Sequence, residues 1–189
     1  MDYPTIDQAH KLLKKYKIHP RVIIHSKEAS HVAEIIGKQV NLSLDITLLK
    51  AGGLLHDIGK WKYLNQQQEL HAYETWRVLA NEGYDKFGKI LWSHPMGGFT
   101  SQETTMLGFP KAVDTRPTTI EAKIISIADK IRPSKGIKEL QEVINDYTYS
   151  QRLRERYFCK VPGLLINSVL RIKKIWSELI KLGMNPKLT

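Results

Sequence analysis

The stretch Leu54-Leu55-His56-Asp57-Ile58-Gly59-Lys60 gathers a histidine, a carboxylate and a lysine at the end of an apolar segment rich in helix formers. Gly52 and Gly53 stand just upstream, where a second backbone could approach closely. Neighbouring residues of a helix point about 100° apart, so His56 and Asp57 cannot form a cation site alone and need ligands from elsewhere. The chain offers candidates. His25 opens a helical repeat with a small-residue face, His25-Ser26-x-x-Ala29-Ser30-x-Val32-Ala33-x-x-Ile36-Gly37. Asp129 is the one carboxylate of the apolar segment Ile124-Ile125-Ser126-Ile127-Ala128-Asp129-Lys130.

His…His-Asp…Asp in this order, with Gly59-Lys60 after the dipeptide, resembles the HD-domain metal-dependent phosphohydrolases, over roughly residues 20 to 133. The resemblance implies an all-α helical bundle in which His25, His56, Asp57 and Asp129 bind a metal. His71, in His71-Ala72-x-x-Thr75-x-x-Val78-Leu79, and His94, closing Ile90-Leu91-Trp92-Ser93-His94, match places where some subfamilies hold a second metal. Asp57 would then bridge two ions. The Gly-Tyr-Pro signature of the HD-GYP cyclic-dinucleotide phosphodiesterases is absent. Gly97-Gly98-x-Thr100-Ser101-x-Glu103, Leu107-Gly108-Phe109-Pro110 and Glu121-Ala122-Lys123-Ile124 look most like a small, mainly archaeal HD group of unassigned substrate.

Phosphate esters repel anionic nucleophiles, and a bound cation both acidifies water and neutralises charge on phosphoryl oxygens. Imidazole with carboxylate suits Mn, Fe, Co, Ni or Zn and disfavours an all-oxygen cage for Ca. The expectation is one or two divalent ions per chain, Mg included. Asp57 and Lys60 are the catalytic candidates, and Lys60 could also meet a substrate phosphate as a point charge. Arg132, three residues after Asp129, would share its helix face one turn on and could grip a phosphate with two hydrogen bonds. Plainer readings stand beside these. His56 and Asp57 could be a buried hydrogen-bonded pair, and His25 and Asp129 solvated polar residues. His71 and His94 could sit at helix ends, and Lys60 and Arg132 could be solvated charges. Trp61, Tyr63, Trp92 and Phe99 flank the candidates, as packing or, for Trp61 or Phe99, as a platform for a nucleobase.

The elements that must position these residues read as helices. Residues 5–16 are amphipathic with Thr5 as N-cap, and a helix from Pro20 to about Val40 carries His25. Asp45 to about His56 forms a third, and polar residues 61–66 form a loop over the site. Helices follow at 68–82 and 84–93, with Gly83 as a stop. Thr100–Glu103 and Thr118–Glu121 are capping-box patterns, the second opening the helix that carries Asp129. Residues 108–117 make an ordered loop, Pro133 ends the Asp129 helix, and 134–149 and 163–183 are two further amphipathic helices. No strand alternation survives.

The 189 residues suggest one HD domain over 1–189, with a catalytic core at about 20–133 and a C-terminal helical extension at about 134–189. A single cysteine, Cys159, no signal-peptide pattern and no long apolar run suggest a cytoplasmic protein that leaves membranes alone. The net charge of +10 draws much of its excess from Arg152, Arg154, Arg156, Lys160, Arg171, Lys173 and Lys174. A solvated basic face is the default, and anionic partners are the alternative. The reading is a metal-dependent phosphohydrolase of a small, nucleotide-like phosphate compound. The competing reading is a non-catalytic, metal-containing module that binds nucleic acid through the basic C-terminal third. The stripe Leu164, Leu165, Val169, Ile172, Ile175, Trp176, Leu179 and Ile180 packs on the chain's own core or, less simply, on a second copy; the oligomeric state stays open.

Overall fold

Small residues decide how closely the central helices approach. In the computed structural model, which describes residues 2–63 and 67–187, α2 (Pro20–Gln39) buries Ser26, Ala29, Ser30, Ala33 and Gly37 along one face. That face receives α3 (Ile46–Leu55). A Cβ on Gly53 would collide with the Ser30 backbone, and one on Gly52 with the Ile125 side chain. The Ser30 hydroxyl donates to Lys50 O at 2.9 Å, so the close crossing is also hydrogen-bonded.

The chain is all-α, and the only strand-like feature among the described residues is an isolated bridge between Arg132 and Ile137. Thr5 caps α1 (Ile6–Lys15) with a complete capping box, and His19 caps α2 ahead of Pro20 in its first turn. Asp45 caps α3 through Leu48 N. The short α4 (Lys60–Tyr63) replaces the first part of the expected 61–66 loop. Residues 64–66 of that loop, and the Tyr63 side chain, lie outside the described residues. A 3₁₀ turn, Gln68–Leu70, leads into α5 (His71–Asn81), and Gly83 at φ +90° separates it from α6 (Asp85–Leu91).

Thr100 opens α7 (Ser101–Met106) with the expected box to Glu103. The second box does not form. Thr119, not Thr118, caps α8 (Ile120–Lys130), which puts Ala122 rather than Glu121 at the reciprocal position. The expected helix at 134–149 also starts later, as α9 (Leu140–Tyr149), because Pro133–Lys135 forms a 3₁₀ turn closed by Gly136 at φ +74°. Residues 151–158 then form α10 (Gln151–Leu153) and a π-helical turn over Arg154–Phe158, which periodicity did not reveal. The last helix, α11 (Leu164–Lys181), buries Leu164, Ile172, Ile175, Trp176 and Leu179 against α8, α9 and the turn Pro95–Gly97. Most of the apolar stripe thus packs on the chain's own core, with Leu165 and Val169 partly buried and Ile180 exposed. No described helix is long and apolar enough to cross a membrane.

Candidate metal centre

Six side chains from five places in the chain meet beneath one cavity. His25 projects from the middle of α2, His56 caps the end of α3, and Asp57 lies in the turn 56–59 that follows. His71 is the first residue of α5, His94 follows α6, and Asp129 is the penultimate residue of α8. Because the chain leaves the α3 helix at Leu55, the 100° helical rule does not separate His56 from Asp57. Their facing atoms, Nε2 and Oδ2, lie 3.4 Å apart.

The Asp57 carboxylate divides the histidines into two pairs. Its Oδ2 faces His25 Nε2 at 3.7 Å and His56 Nε2 at 3.4 Å, while Oδ1 faces His71 Nε2 at 3.3 Å and His94 Nε2 at 3.4 Å. On the first side Asp129 Oδ1 completes the set, 3.0 Å from His25 Nε2 and 3.3 Å from His56 Nε2. Two backbone carbonyls set the ring orientations. His56 Nδ1 donates to Gly53 O at 2.8 Å and His94 Nδ1 to Leu91 O at 2.7 Å, which leaves each Nε2 directed into the cluster.

These residues fit divalent ions. Asp57 Oδ1 is buried and accepts no hydrogen bond from the described residues. The Nε2 atoms of His71 and His94 approach to 2.8 Å, and those of His25 and His56 to 3.2 Å. Two neutral imidazole lone pairs so placed repel unless a proton or a cation lies with them. Overlapping groups of three ligand atoms occur at His25, His56 and Asp57, at Asp57, His71 and His94, and at His56, His94 and Asp129. Nitrogen with carboxylate oxygen is the donor mixture that suits Mn, Fe, Co, Ni or Zn.

Without a cation, lysines balance the carboxylates. Burial disfavours the Asp57 charge, but the Lys60 ammonium paired with its Oδ2, together with His56, holds the carboxyl well below the usual range. Burial likewise opposes the Asp129 charge. Lys130, at 2.6 Å, and His25 overcome it and hold that carboxyl low. His56 is fully buried, yet the Asp57 and Asp129 carboxylates outweigh desolvation and raise its pKa to about 9. Burial dominates at His94 and lowers its pKa.

The other expected participants divide. Lys60 lines the cavity while bound to Asp57. Arg132 lines it too, but not through helical spacing from Asp129: α8 ends at Lys130, and Arg132 is placed by its bridge to Ile137 and by Asp146, 2.7 Å from its guanidinium. Phe99 is fully buried against Phe109 and Tyr157, so it offers no platform to a base. Trp61 is partly exposed beside Tyr16, and Trp92 packs on Trp76.

Other contributors were missed. Lys130 is buried and donates to both Asp129 Oδ2 and the His94 carbonyl, each at 2.6 Å, tying α8 to the second histidine pair. Its adjacency to Asp129 was the available signal. Thr75 accepts from Gly59 N at 3.0 Å and donates to His56 O at 2.9 Å, clipping the ligand-bearing turn to α5. Of the basic residues from Arg152 to Lys174, Arg152 and Arg156 line this cavity. Arg171 is paired with Glu103 and Lys160 with Glu69, while Arg154, Lys173 and Lys174 are exposed. The C-terminal basic residues are therefore not one surface.

Comparison with known proteins follows the same lines. The family model described as HD domain matches residues 22–133. The chain is 35% identical over 137 residues to a tRNA (cytidine(56)-2'-O)-methyltransferase of Thermoplasma volcanium, covering 72% of this chain and 39% of that protein. It is 30% identical over 177 residues to the protein of the same name from Picrophilus torridus, covering 93% of this chain and 46% of that one. The chain thus spans less than half the length of these two relatives. An uncharacterized protein of Methanocaldococcus jannaschii is 32% identical over 111 residues, covering 58% of this chain and 63% of that protein. Among solved structures, the HD domain of the L. monocytogenes phosphodiesterase PgpH superposes with a TM-score of 0.52 at 19% identity, covering 91% of this chain and 96% of that one. The same domain in complex with cyclic-di-AMP gives 0.52 at 20% identity, covering 91% and 94%. The match over more than half the chain, on the residues that build the histidine–carboxylate cluster, places this protein in the HD domain family.

Proposed function

We propose that the chain is a metal-dependent phosphohydrolase acting on a small, nucleotide-like phosphate compound. The observation that supports this most is the buried Asp57 carboxylate, whose two oxygens face two different pairs of histidines. His25, His56, Asp57 and Asp129 would hold one ion, and Asp57, His71 and His94 a second. Divalent ions held there supply Lewis acidity, which acidifies water and offsets charge on phosphoryl oxygens. The chain's own residues do the rest. Lys60 and Arg132 both line the cavity, where the ammonium and the guanidinium would each meet a substrate phosphate. The cavity of about 720 Å³ is of a size that takes a nucleotide. The solved HD phosphodiesterase bound to cyclic-di-AMP is consistent with a nucleotide-like substrate.

The test is hydrolysis by the metal-reloaded protein of a panel of phosphomonoesters, phosphodiesters and nucleotides, with Mn, Fe, Co, Ni, Zn and Mg in turn. Activity in the wild type that disappears in Asp57→Ala supports the reading. Inactivity with every metal across the panel defeats it.

A second reading rests on the longer relatives, which are named as tRNA methyltransferases, and on the exposed cations Arg154, Lys173 and Lys174. Under it the chain is an RNA-binding module. RNA binding that weakens steeply with salt and is lost when these three are reversed in charge would favour it. Absence of binding at low salt would dispose of it.

A further inference from the structure

The cavity extends beyond the histidine–carboxylate cluster, and Asp146, Tyr147, Arg152 and Arg156, which line it there, lie outside the 22–133 family match. Two of the side chains that line it, Arg132 and Tyr147, carry buried donors, Nε and Oη, with no hydrogen-bond partner among the described residues. Buried donors left unpaired lose their hydration with nothing in return, so a polar wall of this kind suits an acceptor. Asp146 holds one edge of the Arg132 guanidinium at 2.7 Å. Tyr147 is the next residue along α9 and is 4% exposed. Arg152 and Arg156 join them on the lining four residues apart, and Arg21 joins from the first turn of α2. The two carboxylates on this wall are already bound, Asp146 by Arg132 and Glu28 by Ser134.

We propose that Arg132 and Tyr147, flanked by Arg152 and Arg156, form a second anion subsite, so that the substrate is a small compound carrying at least two phosphate groups. One phosphate sits at the histidine–carboxylate cluster and the other against this wall. The assignment rests on the hydrolase reading for the first phosphate, but the wall itself is defined without it. A guanidinium can only donate and carries a positive charge, and a neutral phenol beside it can donate its O–H, which favours an oxyanion over a cation. Arg132, Tyr147, Arg152 and Arg156 are specificity residues: they choose and position the substrate and touch no bond that breaks.

The test is calorimetry on the full, Mn-loaded chain with three non-hydrolysable probes: methylphosphonate, methylenediphosphonate and 1,3-propylenediphosphonate. At least one diphosphonate should bind about tenfold or more tightly than methylphosphonate, the scale of one good charge-assisted contact. Tyr147→Phe and Arg156→Gln should each reduce that preference severalfold, with metal content as in the wild type. Tyr147→Phe removes only a hydroxyl with no partner among the described residues, so its thermal midpoint should not fall. A fall would mark the hydroxyl as structural and count against the subsite. Equal affinity for all three probes overturns the proposal, as does a preference that survives both variants, since both phosphonates would then sit on the metal centre. If a single-stranded RNA oligonucleotide binds in a Tyr147-dependent way and no diphosphonate does, the small-molecule assignment is overturned in favour of RNA. Diphosphonate preference without hydrolysis of any compound removes the hydrolase reading and leaves the wall. Hydrolysis without the preference does the reverse.

Discussion

Asp57 presents its two oxygens to separate histidine pairs, and this division makes the cluster's titration informative. In the metal-free protein His56 keeps its proton to about pH 9, against an ordinary histidine value of 6.5. A raised folded-state pKa means that the proton stabilises the fold fully below pH 6.5 and ceases to as pH rises through about 9. Two outcomes are expected. The metal-free protein should lose thermal stability on approaching pH 9, and a divalent ion, which must displace that proton, should bind about tenfold more tightly per pH unit until then. Calorimetry at two pH values, in buffers of different ionisation heat, reads the released proton directly. A pH-independent constant with no proton release would exclude the competition. Metal content should fall from two ions to one in His71→Ala and to none in Asp57→Ala, while His10→Ala changes nothing. One ion in both wild type and His71→Ala would reduce the proposed centre to a mononuclear one. The polar residues of this cluster were legible because His and Asp stand out within apolar helices. Tyr147 was not, since a buried aromatic in an amphipathic helix looks like any other core residue and its unpartnered hydroxyl exists only in three dimensions.

Between elements, close approach is what aligns the proposed ligands. Gly53 sits against the Ser30 backbone where α3 crosses α2, one helix carrying His56 at its end and the other His25. Gly59 sits against the His71 carbonyl and the Thr75 backbone in the same way. Backbone cannot swing aside as a flexible side chain can, so Gly53→Ala and Gly59→Ala should each destabilise by about 1–3 kcal/mol or more, as overpacked cores do. They should also weaken metal binding, because the shift moves one histidine relative to another. Denaturant melts with metal titration check both; a variant of wild-type stability and affinity would show that the crossing is loose. Gly52 and Gly53 were readable in sequence as a place of close approach, although the partner was not. The helix starts marked by Thr5, Asp45 and Thr100 were also readable, because caps are local chemistry. What escaped lies where local signals compete. Lys135-Gly136-Ile137 breaks a helical pattern at Gly136, and the π-helical turn at Arg154–Phe158 has no periodicity of its own to find.

At the scale of the whole molecule, the C-terminal helices complete the site and the core together. The tract 151–158 carries Arg152 and Arg156 to the cavity, while Leu153 and Tyr157 between them are buried. Charge and packing thus alternate along one short segment, which is why a charge count alone suggested a free basic surface. Farther on, α11 buries five large apolar side chains against α8, α9 and the Pro95–Gly97 turn. The chain beyond it is also tied back: Asn41 N donates to Leu182 O at 2.6 Å, Asn185 N to Gln39 Oε1 at 3.0 Å, and Met184 is buried. Fully burying one such side chain contributes roughly 1.5–3 kcal/mol, so α11 supplies on the order of 10 kcal/mol, comparable with the whole stability of a typical domain. A chain ending at residue 161 should therefore fail to fold cooperatively rather than merely lose an appendage. Because α8 carries Asp129 and rests on α11, metal binding should be lost with it. Far-ultraviolet circular dichroism through a thermal ramp, with metal analysis of whatever fragment stays in solution, decides this. A 1–161 fragment that melts cooperatively and retains metal would show that residues 1–161 stand alone and that the last helix is an addition to a core already complete.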